Sequence, residues 1–123
     1  RRAEGEGLLL EAREKLVAKQ FKTAAQYMKL GSPAAARIYL EEIVTEDQYS
    51  KLVPDALYML AEIDAKQEKY ADARDKLNNL LRTYPEHPLA VKAEKLRRDM
   101  EAKLAAASES SPAAVNDTGD SDE

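Results

Sequence analysis

The chain has 123 residues, of which 44% are hydrophobic and 34% charged, with only four Gly and no cysteine. That is the composition of one helix-rich soluble domain able to bury roughly two-thirds of its unfolded surface, and it excludes disulfides, thiolate metal sites and a nucleophilic thiol. The net charge of −4 is uneven: residues 108–123 hold Glu109, Asp117, Asp120, Asp122 and Glu123 without a base, which leaves 18 acids against 19 bases in residues 1–107.

From Leu8 to Leu30 the residues Leu9, Leu10, Ala12, Leu16, Val17, Phe21, Ala24, Ala25 and Met28 recur at steps of three and four, predicting a long amphipathic helix. Gly31 follows as a stop signal, and Ser32-Pro33 supplies an N-cap and a first helical proline for a second helix, with Ala36, Leu40, Ile43 and Val44 inward. That helix ends near Asp47. Pro54 fits only the first turn of a third helix, which turns Val53, Leu57, Leu60, Ala61 and Ala65 to the core. After a break at Gln67–Lys69, a fourth helix spans Tyr70 to Thr83 with Ala73, Leu77, Leu80 and Leu81 inward. A fifth, from about Pro88 to Ala107, carries Leu89, Val91, Ala93, Leu96, Met100 and Leu104. No run reaches the roughly 20 apolar residues of a membrane span, and the opening at Arg1 reads as a piece of a longer protein. Residues 108–123, rich in Ser and Asp, are expected to form a disordered acidic tail, a solubilising terminus in the first place, with mimicry of nucleic acid or binding of a basic partner as the alternative.

The helices repeat. A shift of 37 positions places Ala36 on Ala73, Leu40 on Leu77, Ile43 on Leu80, Val44 on Leu81, Phe21 on Tyr58 and Ala24 on Ala61. In the second hairpin Leu57, Leu60, Ala61, Ala73, Leu77, Leu80 and Pro85 have the spacing of a tetratricopeptide unit. The expected architecture is therefore all-α: about five helices in tetratricopeptide-like hairpins forming a short right-handed solenoid over residues 1–107, with the fifth helix as a cap.

Chemistry has little to stand on. His87 is alone between Glu86 and Pro88, and reads as a turn residue rather than a ligand or base. Neighbouring acids such as Glu41-Glu42 and Glu46-Asp47 point about 100° apart on a helix and do not converge. No phosphate loop, nucleophile elbow or zinc spacing occurs, so neither an enzyme nor a cofactor is implied. Lys92, Lys95, Arg97 and Arg98 are interleaved with Glu94 and Asp99, a pattern of helical ion pairs rather than a nucleic-acid stripe. A protein-binding scaffold remains. On the second helix Tyr39 flanks the buried stripe beside Arg37 and Ile38, both expected to face outward; apolar, aromatic and Arg side chains together have interface composition. Arg37, Ile38, Tyr39 and Glu42 are accordingly the candidate partner-binding residues.

The run EKLVAKQFKTAAQYMKLGSPAAARIYLEEIV, followed by SKLVPDALYMLAEIDAKQEKYADARDKLNNLLRTYPEHP, resembles the C-terminal half of the BamD family, tetratricopeptide lipoproteins of the outer-membrane β-barrel assembly machine, over about residues 12–90. The resemblance implies a scaffold on the periplasmic side of the outer membrane, anchored by a lipidated cysteine absent here. It also implies a POTRA domain of the barrel insertase BamA as the partner. Where some family members carry a basic residue facing BamA, this chain has Tyr39, with Arg37 nearby. A Tol–Pal-associated cell-division coordinator and a cytosolic co-chaperone of the carboxylate-clamp kind have similar repeats and stay open; for the clamp, only Asn78 and Asn79 are candidates.

Overall fold

Five α-helices follow one another: α1 (Arg2–Lys29), α2 (Pro33–Glu46), α3 (Val53–Lys66), α4 (Tyr70–Thr83) and α5 (Ala90–Glu109). This computed structural model describes residues 2–109, so the expectation for the acidic tail falls, beyond its first two residues, outside the described residues. Ser108 and Glu109, assigned above to the tail, belong to α5. The first helix is also longer than its apolar pattern suggested, running through Gly5 and Gly7, whose cost of about 1 kcal/mol each against Ala weakens a helix without forbidding it.

Each helix packs on its neighbours in the chain, α1 on α2, α2 on α3, α3 on α4 and α4 on α5. This is a tetratricopeptide-like solenoid of two hairpins closed by a fifth helix. Its core shows the 37-residue period directly. Val17 and Pro54, Ala24 and Ala61, Ala36 and Ala73, Leu40 and Leu77, Ile43 and Leu80, and Ala56 and Ala93 are equivalent pairs, and all are buried. The alanines let the paired helices approach closely, since a side chain ending at Cβ leaves no ridge to clear.

The turns repeat with the core. Gly31, at φ 78°, ends α1: its N–H reaches the Met28 carbonyl at 3.1 Å and the Ser32 N–H reaches that of Tyr27 at 2.8 Å. One period on, Glu68 adopts φ 62°, with its N–H on Ala65 at 3.0 Å and the Lys69 N–H on Asp64 at 2.8 Å. Both are Schellman stops, and in the second a glutamate occupies the left-handed position that glycine fills without strain. Ser50 and His87 are likewise equivalent. Ser50 Oγ accepts the Leu52 N–H at 3.1 Å, and His87 Nδ1 accepts the Leu89 N–H at 3.0 Å. His87 is thus a turn-forming side chain, with its other nitrogen 3.8 Å from Asp55. Ser32 stands at the N-cap of α2 but makes no side-chain capping bond there; Pro33 sets the first turn instead.

Apolar assignments in two helices are corrected by the structure. In α1 the residues Leu9, Leu10, Ala12 and Leu16 are exposed, because α2 is half as long as α1 and covers only the C-terminal part. Polar contacts hold this helix where α2 ends: Arg13 pairs with Asp47, and Glu14 accepts the Ser50 hydroxyl at 3.0 Å and the Lys51 N–H at 3.1 Å. In α5, Val91 is exposed because its face has no described helix against it. The stripe that in α3 runs Leu57, Leu60, Ala61 and Asp64 toward α4 becomes, 37 residues on, Glu94, Arg97, Arg98 and Glu101. These charges pair along the helix itself, Arg97 to Glu94 at 2.6 Å and Arg98 to Glu94 at 2.9 Å, which gives the end of the stack a wettable face.

Candidate protein-binding surfaces

Of the four residues proposed on α2, the structure leaves two free on the surface. Ile38 is 67% exposed and Glu42 is exposed beside it. Tyr39 instead lies against Tyr27 of α1, ring centroids 5.8 Å apart and planes 14° from parallel, and is half-buried by that stack.

Arg37 is the main correction. Rather than facing solvent, it reaches across to α3 and pairs with Asp64, while a second nitrogen lies 3.3 Å from Glu41. Asp64 is fully buried and takes a second cation from α4, Lys76, at 2.6 Å. A carboxylate with no contact with water is tolerable because two cations and their hydrogen bonds replace its hydration. Asp64 therefore ties α2, α3 and α4 together.

The 37-residue shift maps Tyr27 onto Asp64 and Tyr39 onto Lys76. One position in the hairpin, the contact between the C-terminal half of its first helix and the N-terminal half of its second, is filled by a stacked tyrosine pair in one repeat and by an ion pair in the next. Asp64 is not among the residues that the apolar pattern picks out. A signal was present: Asp64 stands on the Leu57, Leu60, Ala61 stripe at helical spacing, where an acid has to find a partner.

A shallow, open groove lies between α3 and α5. A cleft of about 260 Å³ is lined by Tyr58 of α3 and by Lys92, Lys95, Leu96 and Asp99 of α5. Sharing Leu96 and Asp99 with it, a second cleft of about 530 Å³ continues past Met100 and Lys103 toward Ala106, with Ala65, Lys66 and Tyr70 on the opposite wall. Together they make one trough along α5. Its lining combines Tyr58, Tyr70, Leu96, Met100 and alanines with Asp99 and four lysines, Lys66, Lys92, Lys95 and Lys103, none paired with a carboxylate within 4.0 Å among the described residues. The ammonium of Lys103 sits 5.8 Å from the centroid of the Tyr70 ring, within cation–π range.

Electrostatics set this trough apart. Burial pushes the Glu62 carboxyl above its usual range, against the pull of Lys66 and Lys92, and the Tyr58 hydroxyl is raised by burial and by Glu62. Desolvation thus works against the charged form of the acid beside the trough, while four lysines supply positive charge around it. Elsewhere, the pairing with Arg97 and then Arg98 lowers the Glu94 carboxyl, as suits a self-paired outer face.

Residues 55–87 match the tetratricopeptide repeat family. The chain contains a tetratricopeptide repeat. The match covers α3, α4 and the turn at His87, the hairpin whose spacing was clearest in the sequence. Such repeats are protein-interaction modules. No curated protein and no solved structure matches the chain at a significant level. Among the described residues no group of three or more His, Cys, Asp or Glu could hold a metal, and no described helix is long and apolar enough to cross a membrane.

Proposed function

We propose that the chain is a protein-binding scaffold whose partner enters the trough between α3 and α5. The observation that carries this reading is the trough itself: Tyr58, Tyr70 and aliphatic groups in its lining, four lysines with no carboxylate within 4.0 Å among the described residues, and a neighbouring Glu62 whose ionisation burial opposes. An apolar centre with a charged rim is the anatomy of a transient interface, and the two tyrosines are the anchors it would use. The rim charge selects partners that present acidic side chains or a carboxylate. Photo-crosslinking tests this in the source cells. A photoreactive residue in place of Lys95 should yield a discrete adduct, while one at the 98% exposed Tyr49, remote from the trough, should not. Adducts from Tyr49 alone would place the partner elsewhere.

A second and finer reading rests on the resemblance of residues 12–90 to the C-terminal half of BamD. In it the chain belongs on the periplasmic side of the outer membrane and α2 meets a POTRA domain of BamA. Ile38, 67% exposed next to Glu42, supports an α2 contact, although Arg37 and Tyr39 are now engaged inside the fold. Ile38→Asp changes that surface without touching Asp64. It should weaken binding to the cognate POTRA domain at least about tenfold, about 1.4 kcal/mol, in calorimetry. Unchanged affinity would remove α2 from the interface, and no binding by the wild type would remove this partner.

A further inference from the structure

The trough has a candidate occupant within the same chain. Residues 110–123 carry Asp117, Asp120, Asp122 and Glu123 and no base. They follow directly from α5, the helix that supplies Lys92, Lys95 and Lys103. We propose that this acidic segment turns back along α5 and lies in the α3–α5 trough, its carboxylates on the lysine rims, as an intramolecular competitor for whatever acidic partner the trough receives.

Length permits it. Lys103 stands about 9 Å along the helix from Glu109 and Lys92 about 26 Å, at 1.5 Å per residue. Extended chain covers about 3.3 Å per residue, so after about four residues spent on the reversal Asp117 reaches the level of Lys103, Asp120 that of Lys95, and Asp122 and Glu123 that of Lys92. Charge supports it as well. Four lysines line the rims against Asp99 and a Glu62 whose ionisation burial opposes, so the trough is net positive and the segment wholly negative. The opposite face of α5 has no such demand, because Arg97 and Arg98 are already paired with Glu94. Being tethered, the segment also acts at millimolar effective concentration, so weak individual contacts suffice. The placement shares its trough with the function proposed above but needs no partner for its test, and the two can fail separately.

The chain lacks cysteine, so Ser121→Cys gives a single site for a spin label in the full-length protein. Docking predicts that backbone amides of residues 92–103 and 58–66 lose most of their NMR intensity to the label, while those around Ile38 keep theirs. The loss should vanish in 1 M salt, where the Debye length is about 3 Å. It should vanish also in Lys92→Glu/Lys95→Glu, and in a chain with Asp117, Asp120, Asp122 and Glu123 changed to Asn or Gln, a variant that leaves the helices untouched. Mixing unlabelled isotope-enriched chain with labelled natural-abundance chain should give no loss. Full intensity throughout, a loss indifferent to salt and to tail neutralisation, or a loss that persists in the mixed sample would each overturn the proposal, the last by assigning the contact to a second copy.

Discussion

Asp64→Ala is the sharpest test of how the hairpins are joined. The side chain is 1% exposed and bridges Arg37 of α2 to Lys76 of α4, whose side chains are 21% and 25% exposed. Removing one member of a buried ion pair costs about 3–5 kcal/mol because the remaining charge stays desolvated. Here both remaining cations can swing toward water, so the lower end, about 3 kcal/mol, is expected. For a domain of this size that lowers the melting temperature by roughly 12–24 °C. Arg37→Ala should cost less, about 1–2 kcal/mol, since Lys76 still serves Asp64. Arg37→Glu should cost more than Arg37→Ala by setting a second carboxylate against a buried one, and a 37/64 double-mutant cycle should return a coupling of about 1–3 kcal/mol. Urea melts followed by circular dichroism measure all of these. A loss within about 0.5 kcal/mol for Asp64→Ala, the range of ordinary surface changes, would refute the network; so would Arg37→Glu melting like the wild type, as an outward-facing Arg37 requires.

Glu68→Gly should raise stability by about 0.5–1 kcal/mol in the same melts, because glycine adopts φ 62° without the Cβ penalty; a loss would mean that the turn is not left-handed. Ala73→Leu should cost about 1–3 kcal/mol by overpacking a fully buried helix contact, and a neutral result would put the register of α4 in error. Glu62 binds its proton more tightly folded than unfolded, since burial raises its carboxyl. The stability this contributes is full below the unfolded value of about 4.3 and is lost as pH rises through the folded one. Glu62→Gln should therefore raise the melting temperature at neutral pH and lose that advantage near pH 4; equal effects at both would show that Glu62 is not desolvated.

Much of the fold was legible because apolar period and turn chemistry agree. Gly31, Pro33 and Pro54 mark helix ends by backbone constraint alone, and the 37-residue shift aligns positions that the structure buries in pairs. The candidate site was less legible, for two physical reasons. Helical periodicity sorts residues by direction but does not see across a repeat junction, so it turns Arg37, which points away from its own hairpin's stripe, to the outside, whereas the side chain meets Asp64 of the next helix. Apolar patterning also treats an acid as a surface residue. The pairs Tyr27–Tyr39 and Asp64–Lys76 fill one structural position with opposite chemistries, which no hydrophobicity scale would equate. The trough depends on α3 and α5 together, two helices separated in sequence by α4, and becomes visible only when the stack is assembled.

The central claim, that the trough between α3 and α5 is where a partner binds, is tested most directly by calorimetry with the protein cross-linked from the Lys95 position. Wild type, Lys92→Glu/Lys95→Glu and Ile38→Asp would be titrated in parallel. Trough binding predicts at least about a tenfold loss of affinity, about 1.4 kcal/mol, for the lysine variant and little change for Ile38→Asp. The reverse order, in chains whose helical signal and melting temperature match the wild type, would contradict it.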